Sequence, residues 1–198
     1  MSSKPNLTPE TTVQARRLVM QRGGLVALAT GFAAVGMAPS RASAQKAADS
    51  SGDVAVMQVA LALEHEGIAA YRLAGGSGLL TPGTLKVALV FKGHHEQHRD
   101  SLAALITKAG GKPVEPKADP DYVKELDLGS LKTEGDVVKL ATKLEQGAAN
   151  AYTGQVAALQ DHKLAHLFTQ LATDESVHWA VLNGALGQPV PAHAYLFG

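Results

Sequence analysis

A chain of 198 residues with no cysteine, and with 18 basic side chains balanced by 18 acidic ones, excludes several kinds of chemistry at the outset. It has no disulfide framework and no thiolate to act as nucleophile or ligand. It also has no excess charge of the kind that draws a protein to nucleic acid or to an anionic membrane. Any metal site must be built from His, Asp and Glu.

The first 44 residues read as a cleaved export signal, and residues 45–198 as one domain. Arg16-Arg17 is followed by the apolar stretch Gly23 to Ala38, which is too short to span a bilayer comfortably. The small residues Ala42 to Ala44 then fit a small-x-small cleavage pattern. Paired arginines, a weakly hydrophobic middle and Arg41 near the cut favour the twin-arginine route, which carries folded proteins. The expected location is periplasmic or secreted, with no membrane association after cleavage. An uncleaved membrane anchor is the competing reading.

Four helices are predicted beyond the signal. The first runs from about Asp53 to Ala74 and ends in "GGSG". The second opens with Thr81 as N-cap and Pro82 at the first helical position, and stops at Gly110-Gly111. The third starts near Thr133, with Asp136 completing a variant of the capping box, and runs to about Gln160. The fourth extends from Asp161 to Leu186-Gly187. Between the second and third lie some twenty residues with three prolines, whereas the other connections are short. The expected fold is therefore all-α: a four-helix bundle of two antiparallel helical hairpins joined by a long crossover. An up-down-up-down bundle with a decorated loop is the alternative.

The hairpins repeat. "LEHEGIAAY" (63–71) matches "LEQGAANAY" (144–152), and "HHEQHRDSL" (94–102) lies over "DESVHWAVL" (174–182). Glu64 to His98 is 34 residues and Glu145 to His178 is 33. Alternating steps of three and four trace the inward seam of each helix: Met57, Leu61, Glu64, Ile68, Tyr71; Phe91, His95, His98, Leu102, Leu105; Val138, Ala141, Glu145, Ala148, Tyr152; Leu164, Phe168, Leu171, Glu175, His178, Leu182. Val177, Val181 and Leu182 are read as the buried or half-buried surround of the last pair. Every seam is apolar except at Glu64, His95, His98, Glu145, Glu175 and His178. Buried acids and imidazoles are costly unless they pair or share a cation. One Glu from each of two helices, with an i, i+3 pair from each of the other two, is the ligand pattern of dinuclear carboxylate proteins. A metal-free network of acids paired with histidines is the other reading. Tyr71 and Tyr152 are either core aromatics or hydroxyls that hold a ligand carboxylate on the adjacent helix.

The signal, "FKGHHEQHRDSLAALITKAGGKPVEPKADPDY", "LEQGAANAY" and "DESVHWAVLNGALG" together resemble the exported ferritin-like domain proteins of bacteria, over nearly the whole of 45–198. The resemblance implies a ferritin or rubrerythrin type of bundle with a di-iron site. The chain departs from that pattern at His95, where a ferritin-like site has Glu. Glu96 and His94 are each turned about 100° from the seam and do not replace it. The inferred ligand set is three Glu and three His, with one bridging carboxylate lost, so one or two ions are expected, and His95 is either a ligand or a core histidine. The side formed by Glu145, Glu175 and His178 is expected to bind more readily. Iron leads, with Mn, Zn or Cu as competitors. If the protein is an enzyme, it is a metal-dependent oxidoreductase acting on peroxide or oxygen. The alternative is a non-catalytic metal-binding or metal-free bundle with a degenerate site. A homo-oligomer is compatible with the sequence. His65, His94, Glu66, Glu96, Arg99 and Asp100 are read as solvated or at a rim. His162, His166 and His193 show no paired spacing, and Trp179 is read as packing against another helix or a partner chain.

Overall fold

The computed structural model describes residues 41–198, with only the backbone described for 41–49. The predicted export signal thus lies outside the described residues except for 41–44. Among the described residues are α1 (Arg41–Gly75), α2 (Pro82–Lys108), α3 (Asp119–Glu125), α4 (Glu134–Gln155) and α5 (His162–Ala185), with 3-10 turns at Leu128–Ser130 and Val156–Ala158 and no strand. None of these helices is long and apolar enough to cross a membrane.

The caps follow the sequence. Thr81 accepts from the Thr84 backbone N–H ahead of Pro82. Thr133 and Asp136 form a reciprocal capping box at α4, and Asp161 caps α5 through Lys163. Three boundaries differ from expectation. α1 begins twelve residues before Asp53, because Ala- and Gln-containing sequence without proline continues the helix outward from the packed region. α4 ends at Gln155 rather than Gln160, tightening into a 3-10 turn before Leu159 turns extended. The crossover, where no helix is predicted, contains α3, whose Tyr122 is buried.

Side-chain pairing settles the connectivity. On α1 and α4, Tyr71 meets Glu145 while Tyr152 meets Glu64, so the two helices run antiparallel. α1 also runs antiparallel to α2, with Glu64 on His95 and Tyr71 against Phe91. α2 and α4 therefore point the same way, and the chain between them must travel the length of the bundle. It does so along α1. Gln58 binds the Lys112 carbonyl and the Val114 N–H, His65 contacts the Val114 carbonyl, and Arg72 holds Asp119 in a two-pronged pair. Gln58, His65 and Arg72 recur every seven residues, which keeps them on one face. His65, expected to be solvated or at a rim, is thus also a strap for the crossover.

Asp53 does something other than start a helix. It is 5% exposed, and its two oxygens accept the N–H groups of Gln160 and Asp161, fixing the turn between α4 and α5. Asp53→Ala leaves both donors without a partner and is expected to lower stability by about 2 kcal/mol, read as a shift in the urea midpoint.

The apolar core lies in two parts. Met57, Leu61, Leu102, Ile106, Phe168 and Leu171 fill one end, and Phe91, Val138 and Leu182 the other. Between them lies a polar layer. The predicted seams hold near that layer and drift by one residue away from it: Ile106 rather than Leu105, and Ala149 rather than Ala148, are buried. A straight helix turns at 3.6 residues, so a 3.5-residue trace falls behind. The same geometry corrects the surround of His178: Val177 and Val181 are exposed at 54% and 47%, and only Leu182 of that trio is buried.

Candidate metal centre

The polar layer consists of the six seam residues. Glu64, His95, His98, Glu145, Glu175 and His178 are all buried, none above 8% exposed, and four different helices contribute them. Their donor atoms form two groups that could each hold a metal ion: Glu64, His95, His98 and Glu175, and His95, Glu145, Glu175 and His178.

In the first group, His95 Nδ1 donates to Glu64 Oε2 at 2.7 Å, and His98 Nδ1 to Glu175 Oε1 at 3.1 Å. In the second, His178 Nδ1 lies 3.0 Å from Glu175 Oε2 and 3.3 Å from Glu145 Oε2, with His95 Nε2 3.3 Å from Glu145 Oε1. Metal bonds of about 2.0–2.2 Å place neighbouring ligand atoms about 3.0–3.5 Å apart, so these spacings suit the edges of a coordination shell. They also suit direct pairing: no oxygen or nitrogen of the six is without a partner, and the one buried side-chain polar atom lacking one among the described residues is Gln155 Oε1.

A ring of outer contacts orients the six, and it obeys the sequence repeat. The Tyr152 hydroxyl donates to Glu64 Oε1 at 2.5 Å, and its repeat mate Tyr71 donates to Glu145. Each tyrosine therefore holds the carboxylate of the opposite hairpin. The histidines are held likewise: Asp174 accepts from His98 Nε2 at 3.1 Å, and His94 Nδ1 meets His178 Nε2 at 2.9 Å. Positions 94 and 174 are repeat mates, one residue before the seam positions 95 and 175. Phe91 stacks on the His178 ring, with centroids 4.1 Å apart. His94, read as solvated or at a rim, is half-buried at the edge of the layer, and its contact with His178 was signalled only by its alignment with Asp174 in the repeat. Glu96 pairs with Lys92 away from the layer, as its helical angle requires. Trp179 is buried and packs edge-on against Phe197 of the C-terminal tail. Outer partners of this kind tune ligand basicity and orientation. Tyr71→Phe and Tyr152→Phe are each expected to weaken metal binding about 10–100-fold, as measured by competition with a chelator.

Electrostatics of the metal-free layer follow from burial set against pairing. Burial pushes Glu64 and Glu145 up, but hydrogen bonds from His95 and His98 to Glu64, and from His178 and His95 to Glu145, outweigh it and hold both below the usual carboxylate range. For Glu175 burial prevails, and its pKa rises. Burial pulls the three imidazoles down, yet their carboxylate partners carry all three above the ordinary value: His95 well above it, His98 to about 10. His94 goes the other way, lowered by burial and by the neighbouring His178. A histidine raised on folding stabilises the folded state fully below about pH 6.5, and that contribution is lost as pH rises through its folded value. The stability difference between the metal-free protein and His98→Ala is therefore expected to be largest near pH 6 and to shrink towards pH 10, as read from urea midpoints.

Access comes from the α1–α4 side. A cavity of about 280 Å³ there reaches His95, Glu145, Tyr71 and Tyr152 and passes Gly67 and Gly147. Gly67 lets α1 approach closely, since a Cβ at that position would sit 3.2 Å from the His95 ring. Tyr71 also forms part of the wall of a larger apolar cavity of about 570 Å³, lined by Leu80, Val138, Ala141, Leu182 and Leu186.

No curated protein matches the chain. Among solved structures, a conserved hypothetical protein from Mycobacterium tuberculosis superimposes with a TM-score of 0.63 at 23% identity, over 73% of this chain and 98% of that one. That likeness establishes a shared fold. The ferritin-like domain family matches residues 52–188, which take in most of α1, the crossover, and the whole of α2, α4 and α5. The chain belongs to the ferritin-like domain family.

Proposed function

We propose that this is an exported ferritin-like protein that holds transition-metal ions in its core, iron foremost, and uses them for redox chemistry with peroxide or dioxygen. The observation that carries this reading is the double grouping of buried Glu and His atoms, four donors to each group, at one depth in the bundle. Carboxylate oxygen with imidazole nitrogen is a donor set suited to Fe, Mn, Zn and Cu, so the residues present fit such ions. Glu64, His95, His98 and Glu175 would hold one ion, and His95, Glu145, Glu175 and His178 the other. Iron in these positions would supply the electrons that a peroxide or dioxygen takes up. The protein's part is to exclude bulk water, to orient the carboxylates through Tyr71 and Tyr152, and to admit a small oxidant through the cavity beside Gly67. Hydrolysis is less well supported, because all six polar seam residues are engaged with one another and none is spare as a base. The adjacent arginines and the small-residue cut support export.

A non-catalytic scaffold is the second reading, and one observation favours it: the six residues already satisfy one another without an ion. The two readings part in a single assay. The protein is loaded anaerobically with ferrous iron, desalted and mixed with hydrogen peroxide or air while iron oxidation and oxidant consumption are followed. An oxidoreductase is expected to consume oxidant over many turnovers when a reductant is supplied. A store stops after oxidising what it holds, and a scaffold retains no iron to oxidise.

A further inference from the structure

The two donor groups share two residues, and they share them in the same manner. Glu175 turns Oε1 to one side, 3.1 Å from His98 Nδ1 and 3.6 Å from His95 Nδ1, and Oε2 to the other, 3.0 Å from His178 Nδ1. His95 turns Nδ1 towards Glu64, at 2.7 Å, and Nε2 towards Glu145, at 3.3 Å. Each side therefore has one carboxylate of its own, one Nδ1 of its own, one oxygen of Glu175 and one ring nitrogen of His95. A histidine serving a single ion would present one nitrogen to the ions and the other to an outer partner. His98 and His178 do this, with Asp174 and His94 on their far nitrogens. His95 has no such outer partner; both of its nitrogens face carboxylates of the layer.

We propose that His95 bridges two metal ions through both ring nitrogens, occupying as an imidazolate the place that the repeat gives to a carboxylate, Glu175, in the other hairpin. This rests on the reading of the layer as a metal centre. Both ring N–H protons, which face Glu64 and Glu145 in the metal-free layer, leave to solvent as the two nitrogens give their lone pairs to the metals, and nothing is oxidised or reduced. The charge then balances: three carboxylates and one imidazolate carry four negative charges against the four positive charges of two divalent ions. That removes the cost of a residual buried charge. The bridge also sets a distance. With metal–nitrogen bonds of about 2.0 Å on either side of a ring whose nitrogens are about 2.2 Å apart, the ions sit about 6 Å from each other, whereas ions sharing small bridges sit about 3.5–4 Å apart. At about 6 Å a single oxygen atom does not reach both.

The test is to load the full chain with Zn(II), which favours nitrogen ligands, and to locate the ions by anomalous diffraction at the zinc edge. Two peaks about 6 Å apart, one beyond each ring nitrogen of His95, are expected. Two peaks about 3.5–4 Å apart, or a single peak, would overturn the bridge while leaving metal binding intact. No peak, with no zinc bound by elemental analysis, would overturn both. Cu(II) loading gives an independent readout in solution. With two coppers bound, the paramagnetic resonance intensity at low temperature is expected to fall well below that of two isolated ions; full intensity would count against the bridge. In His95→Glu the ions are expected to close to about 3.5–4 Å; an unchanged separation would show that His95 does not set it.

Discussion

Replacing Glu175 with alanine is expected to empty the whole centre, whereas replacing Glu64 or Glu145 empties half of it. Glu175 is fully buried, and its two oxygens face opposite sides: Oε1 towards His98 and Oε2 towards His178. Glu64 and Glu145 each belong to one donor group only. After loading and desalting, Glu175→Ala should retain essentially no metal, while Glu64→Ala and Glu145→Ala should each keep about one ion per chain. The metal-free protein feels the change too. Removing one partner of a buried pair costs about 3–5 kcal/mol, because the charge left behind has no compensation, and here His98 and His178 both lose an acceptor. Glu175→Gln keeps the side-chain volume and an acceptor oxygen, so it is expected to fold nearly as well as wild type and still bind poorly. That separates loss of ligation from loss of fold, with metal content and urea midpoint measured on the same preparations.

The second large effect is expected at Phe168. It is fully buried and meets Tyr152 edge-on, with ring centroids 5.9 Å apart, and Tyr152 in turn holds Glu64. Phe168→Ala removes a whole ring from the larger core cluster and is expected to cost about 3–5 kcal/mol. It should also loosen the Tyr152 clamp, weakening the Glu64 side of the centre more than the Glu145 side, which Tyr71 secures from a different part of the core. Phe168→Leu fills most of the space and should recover most of the stability. The measurements are thermal unfolding and a metal titration resolved into its two sites.

The layer of acids and histidines was legible because burial selects strongly. On seams otherwise made of Leu, Phe, Val and Ala, six polar residues at matching positions stand out, and the repeat ties the hairpins together through Glu64 with Glu145 and His98 with His178. Caps were legible for the same reason: Thr81, Thr133 and Asp161 act through their own backbone neighbours, so local sequence carries the signal. Contacts made at right angles to the seam were not. His65 grips the crossover and His94 braces His178, yet both lie one residue off the traced face, where a charged or polar side chain is ordinarily solvated. Asp53 likewise looks like a helix start, because Ser and Asp commonly are; its partners are more than 100 residues away in the chain. The exposure of Val177 and Val181 was misread because two apolar residues flanking a polar seam pair suggest burial on both sides, while the helical turn puts them on the outer face. The connectivity needed only one long linker in the sequence, but its path along Gln58, His65 and Arg72 became clear only from the packing.

The reading of the polar layer as a site for a pair of metal ions stands or falls on how many ions it holds. Its most direct test is the stoichiometry of binding to the full chain, by anaerobic titration calorimetry with Fe(II), Mn(II), Zn(II) and Cu(II), backed by elemental analysis after desalting. Near two ions per chain are expected for at least one of these metals, with binding abolished in Glu175→Ala. A well-folded protein that retains none of the four metals would contradict it and leave the six residues as a self-satisfied polar network in the bundle core.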